Sequence, residues 1–309
     1  MSYRIAVMGT GGVGGYFGAR LAQAGSDVTF IARGPHLAAI QRDGLKVESP
    51  NGNLLIAPAK AVASPAGIDA ADAIIFAVKM GDTENAAQAL LPLVAKGAAI
   101  FTFQNGVDSA ERIGAIVGHA NVVPGTAAIA AVIAAPGVIK HSGTMARLVF
   151  GEPDGNPSAR CVALLAACTA AGFDVVKSDG IVRAVWLKFA LLAPFSGMTA
   201  LTRGPIGPIR DNGPARRLLE TAVAEAVAVG MALRTGLEPA DVARTLKLID
   251  SMPAGMTSSM CHDLMAGKPL EIAGLSGAVA RLGQTHNVAT PTHDFIASAL
   301  AVHALGTPR

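Results

Sequence analysis

A glycine-rich turn near the start of the chain constrains its fold more than any other sequence feature. The turn reads Gly9-Thr10-Gly11-Gly12-Val13-Gly14, which has the GxGxxG spacing, and it follows the apolar run Tyr3–Met8. The apolar-periodic stretch Val13–Ala24 comes next and predicts a helix. A strand, a tight turn and a helix in this order are how a parallel βαβ sheet begins.

Strand and helix patterns alternate through the first half of the chain. Short apolar runs predict buried strands at Tyr3–Met8, Asp27–Ala32, Ala73–Val78, Ala98–Phe103 and Val122–Thr126. Helices are predicted at Val13–Ala24, Thr83–Val94, Ser109–Val117 and about Ser158–Ala171, with a late strand at Phe173–Lys177. Leu45–Ser49 and Leu54–Ala57 flank a turn sequence and predict an inserted hairpin.

The second half has a different character, because long apolar-periodic helical stretches run from Ile181 to the end without a convincing strand. A chain of 309 residues is long enough for two domains. We predict an α/β protein with an N-terminal Rossmann-type parallel-sheet domain, residues 1–178. An all-helical C-terminal domain, residues 179–309, follows it.

Composition excludes several classes of protein. Apolar residues make up 51% and charged residues 15%, which excludes a disordered chain. The balance of 25 basic and 22 acidic residues, with only 4% aromatics, argues against a nucleic-acid partner. The three cysteines form no CxxC pair and predict buried thiols in a reducing compartment. The seven histidines lack metal-ligand spacing, so we expect no metal site and place most of them at the surface or at helix ends.

Targeting and membrane signals are also weak. No basic segment precedes the first apolar run, and the apolar stretch Ala127–Ala135 is too short to cross a bilayer. We therefore expect a cytoplasmic protein without a membrane partner. A homodimer is possible, because helices such as Ala222–Leu233 could bury an apolar face against a second subunit.

The glycine spacing predicts a dinucleotide site made by residues Gly9, Thr10, Gly11, Gly12, Val13 and Gly14. Gly9 would permit the tight turn, Gly11 would let the backbone approach a pyrophosphate, and Gly14 would let the helix pack close to the sheet. The first N–H groups of the helix would then face the phosphates. The alternative is a strand–helix turn that binds nothing.

Cofactor choice depends on the end of the second strand, which reads Phe30-Ile31-Ala32-Arg33-Gly34. An NAD site usually has Asp or Glu here, whereas a neutral residue followed by Arg33 favours the 2′-phosphate of NADPH. A solvated loop charge is the alternative for Arg33. Lys79 and Asn105 follow later strands and would lie at the same edge of the sheet, unless Lys79 is an ordinary exposed lysine and Asn105-Gly106 a simple turn.

One lysine of the second half stands out, because Lys188 lies within the apolar sequence Trp186–Leu192. It either extends to the surface or lies in a pocket, where desolvation would lower its pKa and make it a competent proton donor. From the residues alone, a glutamate such as Glu271 is more often a surface carboxylate than a functional one.

The order and spacing of these residues resemble the ketopantoate reductase family over almost the full chain. The landmarks are the glycine-rich turn, Arg33, Val78-Lys79, Gln104-Asn105-Gly106, Trp186-x-Lys188, Met198-Thr199-Ala200-Leu201, Ser258-Ser259-Met260 and Glu271. The resemblance implies NADPH-dependent reduction of 2-dehydropantoate to pantoate, on the route to pantothenate, by hydride transfer.

The resemblance also implies a role for each matching residue. Lys188 would protonate the forming alkoxide and contact the substrate, and Asn105 would touch both cofactor and substrate. Ser196 and Ser259 would bind the substrate. Lys79, Glu271 and the backbone at Ala131 would lie near the cofactor.

The chain departs from the family pattern at two positions. Members carry asparagines four and eight residues after the lysine, where this chain has Leu192 and Ser196. Leu192 cannot hydrogen-bond a hydroxyl or a carboxylate. Two alternatives to the ketopantoate reaction therefore remain. One is reduction of a more apolar 2-keto acid with the same fold, and the other is a protein that binds NADPH without catalysis.

Overall fold

The structure is a computed structural model, and it describes residues 2–307. The chain forms two compact units. The first unit comprises residues up to 104 together with 108–181, and the second comprises residues 105–107 and everything from 182 onward. The loop segment Asn105–Val107 thus belongs with the helical residues although it directly follows a strand of the first unit.

The first unit is built on a sheet of ten strands with five helices. The strands are β1 Arg4–Met8, β2 Asp27–Ile31, β3 Leu45–Glu48, β4 Leu54–Ile56, β5 Lys60–Val62, β6 Ala73–Phe76, β7 Ala99–Thr102, β8 Val122–Ala135, β9 Val138–Phe150 and β10 Asp174–Lys177. The helices are α1 Gly12–Gln23, α2 Gly34–Asp43, α3 Thr83–Val94, α4 Ser109–Val117 and α5 Ala159–Ala170.

The strands run in the order β4-β3-β9-β8-β7-β6-β1-β2-β5, and β10 also pairs with β9. The six strands from β5 to β8 are parallel throughout, and their order reverses between β1 and β6. Such a reversal opens a crevice at the carboxyl ends of the strands, where doubly wound folds bind ligands. One core packs α1 and α5 against the sheet, and a second core packs α3 and α4 against the other face.

The second unit is helical throughout the part of it that the structure describes. Its helices are α6 Ile181–Thr202, α7 Ile206–Asp211, α8 Gly213–Ala232, α9 Ala240–Asp250, α10 Ser259–Met265, α11 Ser276–Thr285 and α12 Pro291–Leu300. By length and apolar composition, α6 could cross a membrane, yet 61% of its most apolar window is buried in the structure. A long apolar helix that is mostly buried is also what the core of a helical domain requires.

The predicted fold class is confirmed, and so are the three buried, free cysteines. The long hairpin is the main error of the sequence prediction. The predicted strand Val122–Thr126 is the start of the 14-residue β8, and its partner β9 was not predicted at all. The Ser142-Gly143-Thr144 sequence interrupts the apolar pattern of β9, and the pairing shifts register between Ile129 and Ala130. The alternation of apolar and polar residues that would predict a strand is therefore lost where β9 bulges.

Two further elements and two histidines also differ from expectation. Helix α2 and strand β5 were not predicted, because their apolar patterns are short and weak. His141 and His293 are buried (2% and 0% exposed) instead of lying at the surface. The His141 ring bonds the hydroxyl of Ser49 and the carbonyl of Met145, whereas His293 bonds the carbonyl of Ala222 through Nε2 and its Nδ1 has no partner among residues 2–307.

Candidate active site

The glycine-rich turn joins β1 to α1 beside the crevice between β1 and β6. Gly9 has a φ of +97°, and a Cβ built on it would lie 2.8 Å from the backbone nitrogen of Val78. A Cβ on Gly14 would overlap the carbonyl oxygen of Gly9 and lie 2.9 Å from Val7 Cγ1. The tight turn and the close packing of helix on sheet are therefore confirmed as the reasons for these two glycines.

The N-terminus of α1 fits an anionic group. Gly11 is the N-cap residue, no side chain caps the helix, and its first turn carries no acidic residue. A Cβ built on Gly11 meets no protein atom within 4 Å, so the backbone is open on that side. The N–H groups at the start of α1 carry the partial positive charge of a helix N-terminus. A dinucleotide pyrophosphate would be held by these groups.

Thr10 has a structural task within the turn. Both its amide N–H and its hydroxyl donate to the carbonyl oxygen of Ile31, at 3.1 and 2.9 Å. The hydroxyl is buried (4% exposed), so it joins the turn to the end of β2. The Thr10 side chain is thus engaged within the protein itself.

Arg33 lies at the N-cap position of α2, immediately after β2. It is exposed, and its guanidinium makes no hydrogen bond or ion pair with any residue between 2 and 307. The first turn of α2 has no acidic residue either. An unpaired cation after β2, next to a helix N-terminus, is the arrangement that accommodates a 2′-phosphate.

Strand β8 reaches the turn through its backbone. A Cβ on Gly12 would overlap the carbonyl oxygen of Ala131, so only glycine fits there. The family resemblance implies that Ala131 lies near the cofactor, and its carbonyl lies against the glycine-rich turn. Ala131 belongs to the part of β8 that extends beyond the predicted strand Val122–Thr126.

Lys79 lies in the loop after β6, and Gln104 holds that loop in place. The Gln104 amide donates to the carbonyl of Val78 at 3.0 Å and to the hydroxyl of Thr83 at 2.9 Å. Thr83 in turn donates to the carbonyl of Met80 at 2.8 Å. Lys79 itself is exposed. Gln104 is a positioning residue that sequence reasoning missed, because nothing in a Gln-Asn-Gly sequence indicates which way the glutamine points.

In the helical unit, α6 holds Lys188 beside Asn105. The ammonium Nζ donates to Asn105 Oδ1 at 2.9 Å. Burial lowers the pKa of Lys188 from 10.5 to about 8, and the negative charge of Glu271 opposes this fall. The structure thus brings together three of the predicted site residues. A desolvated ammonium with a pKa near neutrality can deliver a proton and also recover it from solvent.

Glu271 precedes a short 3-10 turn at Ile272–Gly274, between α10 and α11, and is half-buried. Its carboxylate acts on Lys188 through its charge. Glu271 is thus half-buried, and its charge opposes the fall of the Lys188 pKa.

The two neighbouring serines of the second unit have different environments. Ser258 is buried, caps α10 by accepting from the N–H of Cys261, and accepts from the hydroxyl of Thr199 at 2.8 Å. Ser259, the first residue of α10, is exposed. Ser258 therefore ties α10 to α6, which leaves Ser259 as the serine that can meet a ligand.

Leu192 and Ser196 follow Lys188 by one and two turns of α6. Leu192 is half-buried and packs against the helical core. Ser196 is fully buried, and its hydroxyl has no hydrogen-bond partner among residues 2–307. No group of three or more metal-ligating side chains occurs in the same residues.

Known proteins are similar to this chain over most of its length. Residues 5–155 match the model of ketopantoate reductase PanE/ApbA, and residues 180–304 match the model of its C-terminal part. A 2-dehydropantoate 2-reductase from Mesorhizobium japonicum is 32% identical over 95% of each chain. The crystal structure of 2-dehydropantoate 2-reductase from Geobacter metallireducens has a TM-score of 0.89 and 30% identity, covering 96% of this chain and 99% of that one.

A more distant structure shares the fold alone. D-mandelate dehydrogenase, solved with NADH and anilino(oxo)acetate, has a TM-score of 0.87 at 24% identity, covering 97% of this chain and 98% of that one. The two family models together match most of the residues, including those of the glycine-rich turn, Lys188 and Glu271. The chain therefore belongs to the ketopantoate reductase family of oxidoreductases.

Proposed function

We propose that this protein reduces 2-dehydropantoate to pantoate with NADPH. The observation that carries the proposal is the half-buried Lys188, whose ammonium donates to Asn105 at 2.9 Å and whose pKa is lowered to about 8. A buried proton donor in a family of nicotinamide-dependent reductases has a defined task. It supplies the proton that balances hydride addition to a carbonyl.

The reaction adds two electrons and two hydrogens to the keto group. The nicotinamide ring, when NADPH is bound, supplies the hydride that forms the new C–H bond. The Lys188 ammonium hydrogen-bonds the carbonyl oxygen and gives it a proton as negative charge develops there. Lys188 then regains its proton from solvent.

Asn105 and Glu271 keep the lysine ready for this step. The Asn105 carboxamide oxygen accepts from the ammonium and so directs one of its protons. The Glu271 carboxylate favours the charged form of the lysine and so limits the effect of burial. Ser259 is exposed at the start of α10, and we assign it to the carboxylate or hydroxyl groups of the substrate.

NADPH is the proposed cofactor because of Arg33. Its exposed guanidinium lies directly after β2, and no carboxylate follows the strand before Asp43. An Arg33→Ala variant should raise the Kd for NADPH at least about tenfold and leave the Kd for NADH nearly unchanged, since only NADPH carries the 2′-phosphate. Equal losses for both cofactors would refute the assignment.

A second substrate class is favoured by Leu192. This side chain lies one helical turn after Lys188 and is apolar, so it would contact a hydrocarbon group better than a hydroxyl. The corresponding alternative is a more apolar 2-keto acid with the same chemistry.

One experiment separates these functions. Initial rates of NADPH oxidation are measured with 2-dehydropantoate, 2-oxoisovalerate, 2-oxoisocaproate and phenylpyruvate, and a Leu192→Asn variant is compared with the parent. Highest kcat/KM for 2-dehydropantoate supports the main proposal, whereas highest kcat/KM for an apolar acid, reversed in the variant, supports the alternative. Tight NADPH binding without turnover of any acid would indicate a binding protein and overturn both.

A further inference from the structure

Both ring nitrogens of His36 are engaged by backbone groups of two different turns. Nε2 lies 2.9 Å from the carbonyl oxygen of Thr10, inside the glycine-rich turn. The amide N–H of Gly137, at the turn between β8 and β9, donates to Nδ1 at 2.9 Å. Because Nδ1 accepts, Nε2 must carry the proton and donate to Thr10. His36 is therefore held as one neutral tautomer that bridges the two turns.

The two bridged turns are themselves fixed to the sheet. Thr10 is joined to the end of β2 by its two donors to Ile31. The carbonyl of Gly137 accepts from the N–H of Lys46 on β3 at 2.9 Å, and Gly137 is buried with a φ of +75°. His36 thus links the glycine-rich turn, which is bonded to β2, to the β8–β9 turn, which is bonded to β3.

The bridge also bears on Arg33. His36 belongs to the first turn of α2, three residues after Arg33, which is the N-cap residue of that helix. Fixing the imidazole fixes where α2 begins and therefore where the guanidinium is presented. The β8–β9 hairpin brings Ala131 against Gly12 in the same region.

We infer that His36 is a positioning residue for the dinucleotide: it holds the glycine-rich turn, the start of α2 with Arg33, and the β8–β9 turn in the arrangement that binds the pyrophosphate and the 2′-phosphate. The inference rests on the proposed function. His36 acts through Thr10 and Gly137 and takes no part in hydride transfer. Protonation would turn Nδ1 into a donor that faces the Gly137 N–H, which breaks the bridge.

The surroundings of the imidazole favour its neutral form. Burial lowers the pKa of His36, and the hydrogen bond to Thr10 opposes this effect. No charged side chain contributes to the shift among the described residues. Charged groups on the elements that meet here include Arg33, Arg42 and Asp43 at α2, Lys46 and Glu48 on β3, Asp27 and Lys60 on β2 and β5, Lys140 and Arg147 on β9, and Arg20 on α1. Three opposite-charge pairs, Arg42–Asp43, Lys46–Glu48 and Lys60–Asp27, occur among them.

Two variants of the full chain test the inference. His36→Gln keeps one donor and one acceptor on a side chain that does not titrate, and His36→Phe keeps the ring without either. The Kd of NADP⁺ is measured by calorimetry for the parent and both variants at about pH 7.5 and about pH 5, which lie on either side of the ordinary histidine pKa. The 2′-phosphate of NADP⁺ also titrates in this range. Because it does so equally for both proteins, the difference in pH dependence between the parent and His36→Gln reports on His36 alone.

We expect His36→Phe to weaken NADP⁺ binding about tenfold at the higher pH and His36→Gln to remain within about threefold of the parent. At the lower pH the parent should lose more affinity than His36→Gln does. Amide exchange at Gly137 should be faster in His36→Phe, in the absence of nucleotide.

Two results would overturn the inference in distinguishable ways. If His36→Phe binds NADP⁺ as tightly as the parent and the pH dependence of the parent matches that of His36→Gln, His36 has no positioning role. If the parent itself fails to bind NADP⁺, the proposed function fails and the inference fails with it.

Discussion

Lys188 should set the alkaline limit of the reduction rate. Burial lowers its pKa from 10.5 to about 8 against the opposing charge of Glu271. A group with this pKa is roughly 90% protonated at about pH 7 and roughly 10% protonated at about pH 9. Because the proton for the forming alkoxide comes from the charged lysine, the rate of the chemical step should fall about tenfold across this range.

The neighbours of Lys188 give the prediction its internal check. Glu271→Gln removes the charge that favours the ammonium, so the pKa should fall further and the rate should decline at lower pH. Asn105→Asp places a carboxylate where the amide oxygen now accepts at 2.9 Å, so the pKa should rise by about one to three units and the decline should move to higher pH.

The assay is single-turnover oxidation of NADPH at saturating keto acid, from about pH 6 to about pH 10, which spans the lowered and ordinary lysine pKa values. A single turnover keeps product release from hiding the chemical step. Lys79→Met serves as the control, because it should weaken cofactor binding without moving the pH at which the rate declines. A rate that stays constant to the highest pH would refute the reasoning. So would a shift of the declining limb in the same direction by Glu271→Gln and Asn105→Asp.

Three further predictions follow from the first unit and from α12. Gly12→Ala should lower the free energy of unfolding by about 3 kcal/mol, because its Cβ overlaps Ala131. Gly11→Ala should leave that free energy nearly unchanged and weaken dinucleotide binding. Chemical denaturation measures the first quantity and calorimetry the second. Gln104→Met should raise the KM for NADPH several-fold with little change in kcat, since it releases the loop after β6 without touching the reacting atoms; an unchanged KM would show that the loop needs no such support. Burial lowers the pKa of His293, so the unfolded chain binds a proton near pH 6.5 that the folded chain resists, and stability should fall as the pH drops below that value. Urea denaturation should show that the free energy of unfolding falls less on acidification in His293→Gln than in the parent. Equal falls in both proteins would exclude the histidine as the cause.

Local patterns predicted the start of the first unit well. The glycine-rich turn has an explicit spacing, and the backbone reasons given for Gly9 and Gly14 are those the structure displays. The environment of Lys188 was half predictable. Its apolar flanks left open whether it reaches the surface or lies in a pocket, and its hydrogen-bond partner Asn105 lies 83 positions away in sequence.

Residues whose role depends on long-range hydrogen bonds could not be predicted in the same way. Gln104 and His36 bond backbone groups of other elements, and a backbone partner leaves no trace in residue identity. Helix α2 and the hairpin strand β9 were missed because their apolar patterns are interrupted. As a result, the residues that position the candidate site were harder to predict from the sequence than the residues that would contact the cofactor or the substrate.

The assignment of Asn105–Val107 to the helical unit limits how modular the protein can be. The chain passes between the units three times, after residues 104, 107 and 181, and not through a single linker. A helical fragment cut at residue 182 would therefore lack the hydrogen-bond acceptor of Lys188. Gene fusion or domain exchange could transfer the helices of such an enzyme to another nucleotide-binding unit. The hydrogen bond from the lysine to Asn105 would be kept only if the recipient already carried an asparagine after the corresponding strand.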